Sequence, residues 1–143
     1  MHLKKLVCFG LMISLLTLNL GVTKAYASEI KEGGIESHDA RFKYIDTATS
    51  RLSISNGVAN VGSSVIGQSM VTKTDVTARL QQYVDGRWKT IQAWTVSSGS
   101  KNCLLSKKYS VKKGYSYRVD TTVTAYMNSS SERHDLVSSV VKY

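Results

Sequence analysis

Residues Tyr115–Ala125 read YSYRVDTTVTA, and this stretch decides the fold class because its residues alternate in character. One side takes Tyr115, Tyr117, Val119, Thr121, Val123 and Ala125, and the other side takes Ser116, Arg118, Asp120, Thr122 and Thr124. A period of two predicts a strand with one buried face. A slip of one residue would bury Arg118 and Asp120, so the pattern also fixes the register.

Similar short segments, rich in Val, Thr, Ser and Tyr, follow one another along the chain. They predict eight strands, near Arg41–Ile45, Arg51–Ser55, Val58–Gly67, Val76–Tyr83, Trp88–Val96, Asn102–Tyr109, Tyr115–Tyr126 and Leu136–Val141. Many short strands separated by turn signals are typical of a β-sandwich or β-barrel.

Turn signals separate these segments. Asn56-Gly57 and Asp85-Gly86 favour the positive backbone angles of tight hairpins, and each lies between two predicted strands. A further bend is predicted at Lys113-Gly114 and a loop at 128–131. Two hairpins are therefore expected.

The segment Asp75–Val84 fits two interpretations. Its apolar residues also satisfy a helical spacing, with Asp75 able to cap the start. We prefer a strand, because the Asp-Gly turn requires an extended partner for the following segment. In that segment Trp88 and Trp94 flank Ile91, and a bulge is needed to bring all three near the core.

Two longer stretches carry a resemblance to known proteins. The arrangement LQQYVDGRWKTIQAW (80–94), a Ser/Gly loop, and KKYSVKKGYSYRVDTTVTAY (107–126) resembles small uncharacterised exported β-sandwich proteins of Gram-positive bacteria. The likeness covers roughly residues 54–143. The pattern Gly114-Tyr115-x-Tyr117 also resembles the corner of immunoglobulin-like and fibronectin-like domains, where a tyrosine hydroxyl ties the preceding turn. The resemblance implies an immunoglobulin-like antiparallel β-sandwich of about seven or eight strands, and no activity. The two-cysteine bridge of antibody domains is missing.

The N-terminal residues predict export. After MHLKK comes an uncharged run, Leu6–Val22, and then Ala25-Tyr26-Ala27, a pattern that signal peptidases accept. The alternative is an uncleaved membrane anchor, for which this run is short. We expect a signal peptide over residues 1–27, a flexible acidic arm over 28–40, a β-sandwich domain over 41–143, and a secreted or envelope-associated product without a transmembrane segment.

Charge is distributed unevenly along the predicted exported chain. The arm carries one lysine against four acids, a net charge of −3, whereas residues 41–143 carry fifteen Lys or Arg against six acids, a net charge of +9. A basic surface favours anionic partners such as an anionic cell-envelope polymer, and another protein is the alternative partner. No specific nucleic acid is expected. The candidate anion-binding residues are Lys101, Lys107, Lys108, Lys112 and Lys113. The competing interpretation is solvated lysine that blunts a strand edge.

The residues that could act in catalysis or bind a metal do not form a recognisable site in the sequence. Cys103 is the one cysteine of the predicted exported chain, and we interpret it as a half-buried strand residue, with intermolecular pairing and then nucleophilic catalysis as weaker interpretations. His38-Asp39 and His134-Asp135 lack metal-ligand spacing, because neighbours in a strand point to opposite faces. No zinc, calcium or phosphate-binding motif occurs. We expect no cofactor, no bound metal and no enzymatic activity.

Three functions fit these observations. The first is a secreted, non-catalytic binding or adhesion module that acts at the bacterial envelope or a neighbouring surface through a basic face. The second is a cationic antibacterial or membrane-active protein. The third is a structural protein whose copies join through exposed strand edges.

Overall fold

The computed structural model of this chain describes residues 31–37 and 42–143. All regular elements in these ranges are strands, and none of the described residues forms a helix that could cross a membrane. The strands are β1 Lys31–Ser37, β2 Ile45–Ser55, β3 Val58–Gly67, β4 Lys73–Val84, β5 Arg87–Ser98, β6 Asn102–Ser110, β7 Ser116–Met127, β8 Ser130–Val137 and β9 Val141–Lys142. The predicted signal peptide, residues 1–27, and the residues of the predicted arm other than 31–37 lie outside the described ranges.

The strands form two antiparallel sheets that pack face to face around one core. The first sheet has the order β1-β2-β3-β6, and the second has the order β5-β4-β7-β8 with β9 paired to β7. The predicted all-β class is therefore confirmed, and the two packed sheets agree with a β-sandwich. Buried apolar side chains from both sheets fill the space between them, among them Leu52, Ile54, Val61, Val65, Val76, Leu80, Leu105, Val119 and Val123.

The alternation in Tyr115–Ala125 has the predicted outcome in β7. Tyr117, Val119, Thr121, Val123 and Ala125 are all buried to 1% exposure or less. Each fully buried valine contributes about 1.5–3 kcal/mol of transfer free energy. Tyr115 is the exception, because it precedes the strand and is 37% exposed. Its predicted place in the buried row is wrong.

The two predicted hairpins are present. Asn56 and Gly57 have φ angles of 50° and 78°, and Asp85 and Gly86 have 53° and 76°. A third two-residue turn, at Asn128 with φ 53°, connects β7 to β8 where the sequence predicts a longer loop. Because the turn is short, β8 begins at Ser130 rather than Leu136, and only the two residues of β9 form a strand after it.

The strand predictions for segments 75–84 and 41–45 had different outcomes. The ambiguous segment Asp75–Val84 is a strand, β4. The predicted strand near Arg41–Ile45 is wrong for residues 42–44, which form irregular chain before β2, and residue 41 lies outside the described ranges. β2 then runs without a break through Ser55, with a bulge at Asp46.

Seven residues of the predicted flexible arm, Lys31–Ser37, form β1 and pair along their whole length with β2. Their sequence, KEGGIES, has no clear alternation of apolar and polar residues, so it gives no strand signal. The pairing depends instead on the backbone groups that β2 presents at the edge of its sheet. In this structure these residues belong to the first sheet.

The bulge predicted on the strand after Asp85-Gly86 is present in β5, where Ile91 is the extra residue between the pairs Leu80–Gln92 and Gln81–Thr90. Ile91 and Trp94 pack against the core. Trp88 does not, and its predicted place near the core is wrong. Beyond the bulge it stacks beside Tyr83, at 5.1 Å between ring centroids, with the Arg118 guanidinium 4.4 Å from its ring.

Three buried hydroxyl groups connect the two sheets inside the core. Thr121 Oγ1 of β7 lies 2.9 Å from Ser50 Oγ of β2 and 2.8 Å from Ser63 Oγ of β3. All three side chains are buried to 1% exposure or less. Because a buried hydroxyl without a partner is costly, this contact favours one alignment of the sheets over others.

Candidate functional site

The candidate lysines 107 and 108 lie on β6, at the edge of the first sheet. Lys107 pairs with Val61 and Lys108 with Asn60 of β3, and both lysines are exposed. As neighbours in a strand they point to opposite faces. Leu105, two residues before Lys107, is buried in the core. The lysine side chains therefore emerge between two packed residues of β6, because Tyr109, next along the strand, also packs against the core.

Lys112 and Lys113 lie in the turn between β6 and β7, and Tyr117 holds this turn. The Tyr117 hydroxyl donates to the Lys112 carbonyl oxygen at 2.8 Å and accepts from the Lys112 backbone N–H at 3.1 Å. Burial raises the pKa of Tyr117, so the hydroxyl stays protonated and keeps its donor at neutral pH. The side chains of both lysines remain exposed. We call Lys107, Lys108, Lys112 and Lys113 the lysine corner.

The C-terminal residues support the same turn. The Gly114 N–H donates to the Tyr143 carbonyl at 2.6 Å, and the Tyr143 N–H donates to the Tyr115 carbonyl at 3.0 Å. The Lys113 ammonium lies 5.6 Å from the Tyr143 ring. This arrangement brings a further exposed lysine, Lys142, beside the turn. Sequence reasoning missed Lys142, because it lies far along the chain from the other lysines.

Lys101 lies at the opposite end of β6 from the turn. It precedes the strand, and its carbonyl oxygen accepts from the Gly67 N–H at 2.7 Å. With a rise of about 3.3 Å per strand residue, six residues separate Lys101 from Lys107 by about 20 Å. The structure therefore gathers four of the five predicted lysines and leaves Lys101 apart from them.

All six acidic side chains of residues 42–143 are bound at other positions. Asp75, Asp85, Asp120 and Asp135 form ion pairs with Lys73, Lys89, Arg79 and Arg133, at 3.0 to 3.7 Å. Asp46 accepts from Gln68, and Glu132 accepts from backbone groups. Among residues 42–143 no ion pair includes a residue of the lysine corner. No acidic side chain of that range therefore compensates its positive charge.

Glu132 has an environment that the sequence did not indicate. Its carboxylate accepts the backbone N–H groups of Lys43, Tyr44 and Ile45 at 2.9, 2.7 and 2.8 Å. Burial acts to raise the pKa of Glu132, but the three hydrogen bonds outweigh it and hold the pKa below its usual value. Glu132 therefore anchors the chain that enters β2.

Cys103 lies on β6 and is buried to 5% exposure. Burial, together with the Asp75 carboxylate, raises the pKa of its thiol, and the Sγ donates to the Val96 carbonyl at 3.5 Å. A buried thiol with a raised pKa is a poor nucleophile. A disulfide to another molecule would also require this part of the sheet to open.

The histidine and aspartate pairs do not assemble a site in the described part of the chain. His134 and Asp135 point to opposite faces of β8: the His134 ring lies 4.5 Å from Phe42, whereas Asp135 binds Thr122 and Arg133. His38 and Asp39 lie outside the described residues. Nowhere in residues 31–37 and 42–143 do three or more metal-binding side chains form a group.

In residues 42–143 the structure is thus a small two-sheet β protein with an exposed group of lysines at one end. Comparison with models of protein families and with curated proteins finds no match to this chain.

Proposed function

We propose that this protein is a secreted, non-catalytic binding module that holds anionic phosphate polymers of the bacterial envelope at its lysine corner. The observation that carries the proposal is the separation of charges on the folded chain. The acids in residues 42–143 are bound elsewhere, while Lys107, Lys108, Lys112 and Lys113 remain exposed near one end of the sandwich.

The arrangement suits an extended polyanion better than a small anion. Lys107 and Lys108 point to opposite faces of an edge strand, and Lys112 and Lys113 follow in the adjoining turn. Such charges cannot converge on one phosphate, but they can contact successive phosphates of a chain that runs along the strand edge and over the turn. The turn is held by Tyr117, so its backbone does not need to be ordered on binding.

We further propose that the sandwich is immunoglobulin-like and that the chain belongs with the small exported β-sandwich proteins that its sequence resembles. Two observations support the immunoglobulin-like assignment. β3 pairs with β6 and β4 pairs with β7, as strands B with E and C with F do in that fold. Tyr117, near the start of β7, bonds back to the preceding turn like the tyrosine corner of those domains.

The test is a binding measurement on residues 28–143, the predicted exported chain, which contains every described residue. The probe is a soluble glycerol-phosphate polymer, titrated at several salt concentrations. If about four phosphates are contacted, the logarithm of the affinity should fall with the logarithm of salt with a slope of roughly −3. Changing all four lysines of the lysine corner to glutamate should abolish binding.

A matched control changes Lys73, Arg87, Lys89 and Lys101 to glutamate, which alters the net charge by the same amount at other positions. This control should retain most of the affinity, provided that a thermal melt shows it to be folded. Equal loss in the two variants would show that only net charge matters, and unchanged binding by the lysine-corner variant would refute the proposal. Vesicles of phosphatidylglycerol serve as a second probe to separate polymer phosphate from lipid phosphate.

A further inference from the structure

We propose that the outer face of the second sheet carries a separate binding site for a neutral glycan chain, built of β-1,4-linked N-acetylated sugars. The site consists of four side chains that we call the aromatic platform, namely Gln81, Tyr83, Trp88 and Arg118. None of them belongs to the lysine corner, and the ligand is uncharged. This inference therefore goes beyond the proposed function and does not depend on it.

A β-bulge turns Trp88 to the outer face of the sheet. Trp94 pairs with the buried Ala78 and packs against the core. In an unbroken strand Trp88, six residues earlier, would point the same way, because side chains alternate with a period of two. The extra residue at Ile91 reverses this alternation, so Trp88 pairs instead with the exposed Tyr83. Bulges that redirect a side chain are common beside functional sites.

The platform joins three neighbouring strands. Gln81 and Tyr83 lie two residues apart on β4 and therefore share a face. Trp88 pairs with Tyr83 from β5, and Arg118 pairs with Gln81 from β7. This face is the outer one, since Leu80 beside Gln81 is buried in the core. With about 4.8 Å between neighbouring strands, the platform spans about 10 Å, which is comparable to two linked sugar rings.

Arg118 is held in place before any ligand arrives. Its guanidinium lies 4.4 Å from the centre of the Trp88 ring, and its Nε donates to Gln81 Oε1 at 2.8 Å. The Trp88 ring in turn lies beside the Tyr83 ring, at 5.1 Å between centroids and an interplanar angle of 57°. Side chains that are already ordered lose less conformational freedom on binding, so this group is preorganised for a ligand.

The platform offers more hydrogen-bond donors than acceptors. A guanidinium has five N–H donors, and within residues 42–143 only the Nε donor of Arg118 has a hydrogen-bond partner. In the same range the Trp88 indole N–H and the Tyr83 hydroxyl have none. A ligand that is rich in acceptors matches this group. The acetamido carbonyl, ether and hydroxyl oxygens of an N-acetylated sugar are such acceptors.

The remaining charges of the outer face are balanced. Its three carboxylates each form an ion pair with a neighbouring cation, at 3.0 to 3.7 Å, in the pairs Asp75–Lys73, Asp120–Arg79 and Asp135–Arg133. A face with paired charges does not concentrate a polyanion as a group of unpaired lysines does. This balance favours an uncharged ligand at the platform.

The exposed tyrosine ring suits the flat side of a sugar. Tyr83 is 45% exposed, and Trp88 beside it is partly exposed. The face of an aromatic ring carries partial negative charge, so it attracts the partly positive C–H groups on one side of a pyranose ring. In a β-1,4-linked chain the rings follow one another in a flat ribbon that can lie across the platform. An α-1,4-linked chain coils and presents no continuous flat side.

The experiment is an NMR titration of residues 28–143 with a soluble hexamer of β-1,4-linked N-acetylglucosamine. The Trp88 indole N–H signal should shift and saturate with a Kd of roughly 0.1–1 mM, because the ligand contacts few side chains. The Trp94 indole signal should stay unchanged, since that ring packs against the core. Because the ligand is uncharged, added salt should change the Kd by less than about twofold.

Variants are compared through the backbone amide shifts of β4 and β7. Trp88→Ala should weaken binding at least about tenfold. Arg118→Lys should weaken it about fivefold, because lysine keeps the charge but lacks the planar set of donors. Tyr126→Ala is the matched control, since its ring lies on the same face near the far end of β7, 4.7 Å from the Lys73 ammonium. This control should bind normally, and circular dichroism melts check that each variant is folded.

Three results would overturn the inference. They are the absence of a saturable Trp88 shift at about 10 mM hexamer, an equal loss of binding in Tyr126→Ala, and equal affinity for a hexamer of α-1,4-linked glucose. Trp88→Ala should still bind the glycerol-phosphate polymer, and the lysine-corner variant should still bind the uncharged hexamer. The failure of either proposal is therefore distinguishable from the failure of the other.

Discussion

Replacing Tyr117 with phenylalanine tests how the turn before β7 is held. The change removes one oxygen atom and leaves the buried ring in place. That oxygen donates to the Lys112 carbonyl at 2.8 Å, and it accepts from the Lys112 N–H at 3.1 Å and from Gln82 Nε2 at 3.2 Å. The ring itself is 1% exposed, so packing should be preserved.

The expected loss follows from these three contacts. A hydrogen bond contributes about 0.5–1.5 kcal/mol net, and the groups around Lys112 are only partly buried, so water compensates in part. We expect Tyr117→Phe to lower the free energy of unfolding by about 2 kcal/mol. For a domain of about 100 residues this corresponds to a fall in Tm of roughly 8–16 °C.

The assay is urea unfolding at equilibrium, compared with Tyr115→Phe as a matched control. Tyr115 lies two residues earlier and is 37% exposed, and its hydroxyl has no hydrogen bond within the described ranges. Tyr115→Phe should change stability by less than about 0.5 kcal/mol. Amide hydrogen exchange at Lys112 should accelerate in Tyr117→Phe alone. If both variants unfold at the same urea concentration, the hydroxyl does not hold the turn and our reasoning is wrong.

Three further changes test the rest of the fold. Glu132→Gln should destabilise the protein by about 1–3 kcal/mol at pH 7, because the charged acceptor of three backbone N–H groups is lost. Because the folded pKa of Glu132 lies below the usual value of 4.5, its contribution is present above the unfolded pKa and is lost as pH falls through the folded pKa. The difference in stability between wild type and variant should therefore shrink in melts at pH values progressively below 4.5, and a difference of constant size would contradict this. Thr121→Val should lower the free energy of unfolding in urea by about 1–3 kcal/mol, because the buried Ser63 hydroxyl loses its hydrogen-bond partner. Adding Ser50→Ala and Ser63→Ala should recover part of that loss. A further loss of stability would argue against the hydroxyl cluster. The Cys103 thiol should react with a disulfide reagent at least about a hundredfold more slowly in the folded protein than in urea, and equal rates would show that the site is open.

Local patterns in the sequence predicted the features of the fold that depend on neighbouring residues. The alternation in β7 determined which side chains are buried, and the Asn-Gly and Asp-Gly pairs located two hairpins, because both signals arise within a few residues of chain. A bulge was expected because a strict period of two cannot place Trp88, Ile91 and Trp94 all near the core. The bulge is present, but only Ile91 and Trp94 pack there.

Features that depend on distant residues could not be predicted in this way. Glu132 bonds to backbone groups nearly ninety residues away, and no local pattern marks an acid for such a role. β1 lacks alternation, so its backbone pairing with β2 could not be predicted from local sequence. All four residues of the lysine corner were predicted, because they are close in sequence. The separation of Lys101 from them and the approach of Lys142 could not be predicted, because they depend on where β6 begins and on the pairing of β9 with β7.

The most direct test of the proposed function is an amide chemical-shift titration of residues 28–143 with the glycerol-phosphate polymer at low salt. The account predicts that the largest shifts occur at residues 106–108 of β6, at 111–114 in the turn and at Lys142, and that they vanish when salt is added. Shifts centred instead on Lys101 or on the outer face around Arg118, or no shifts at saturating polymer, would contradict it.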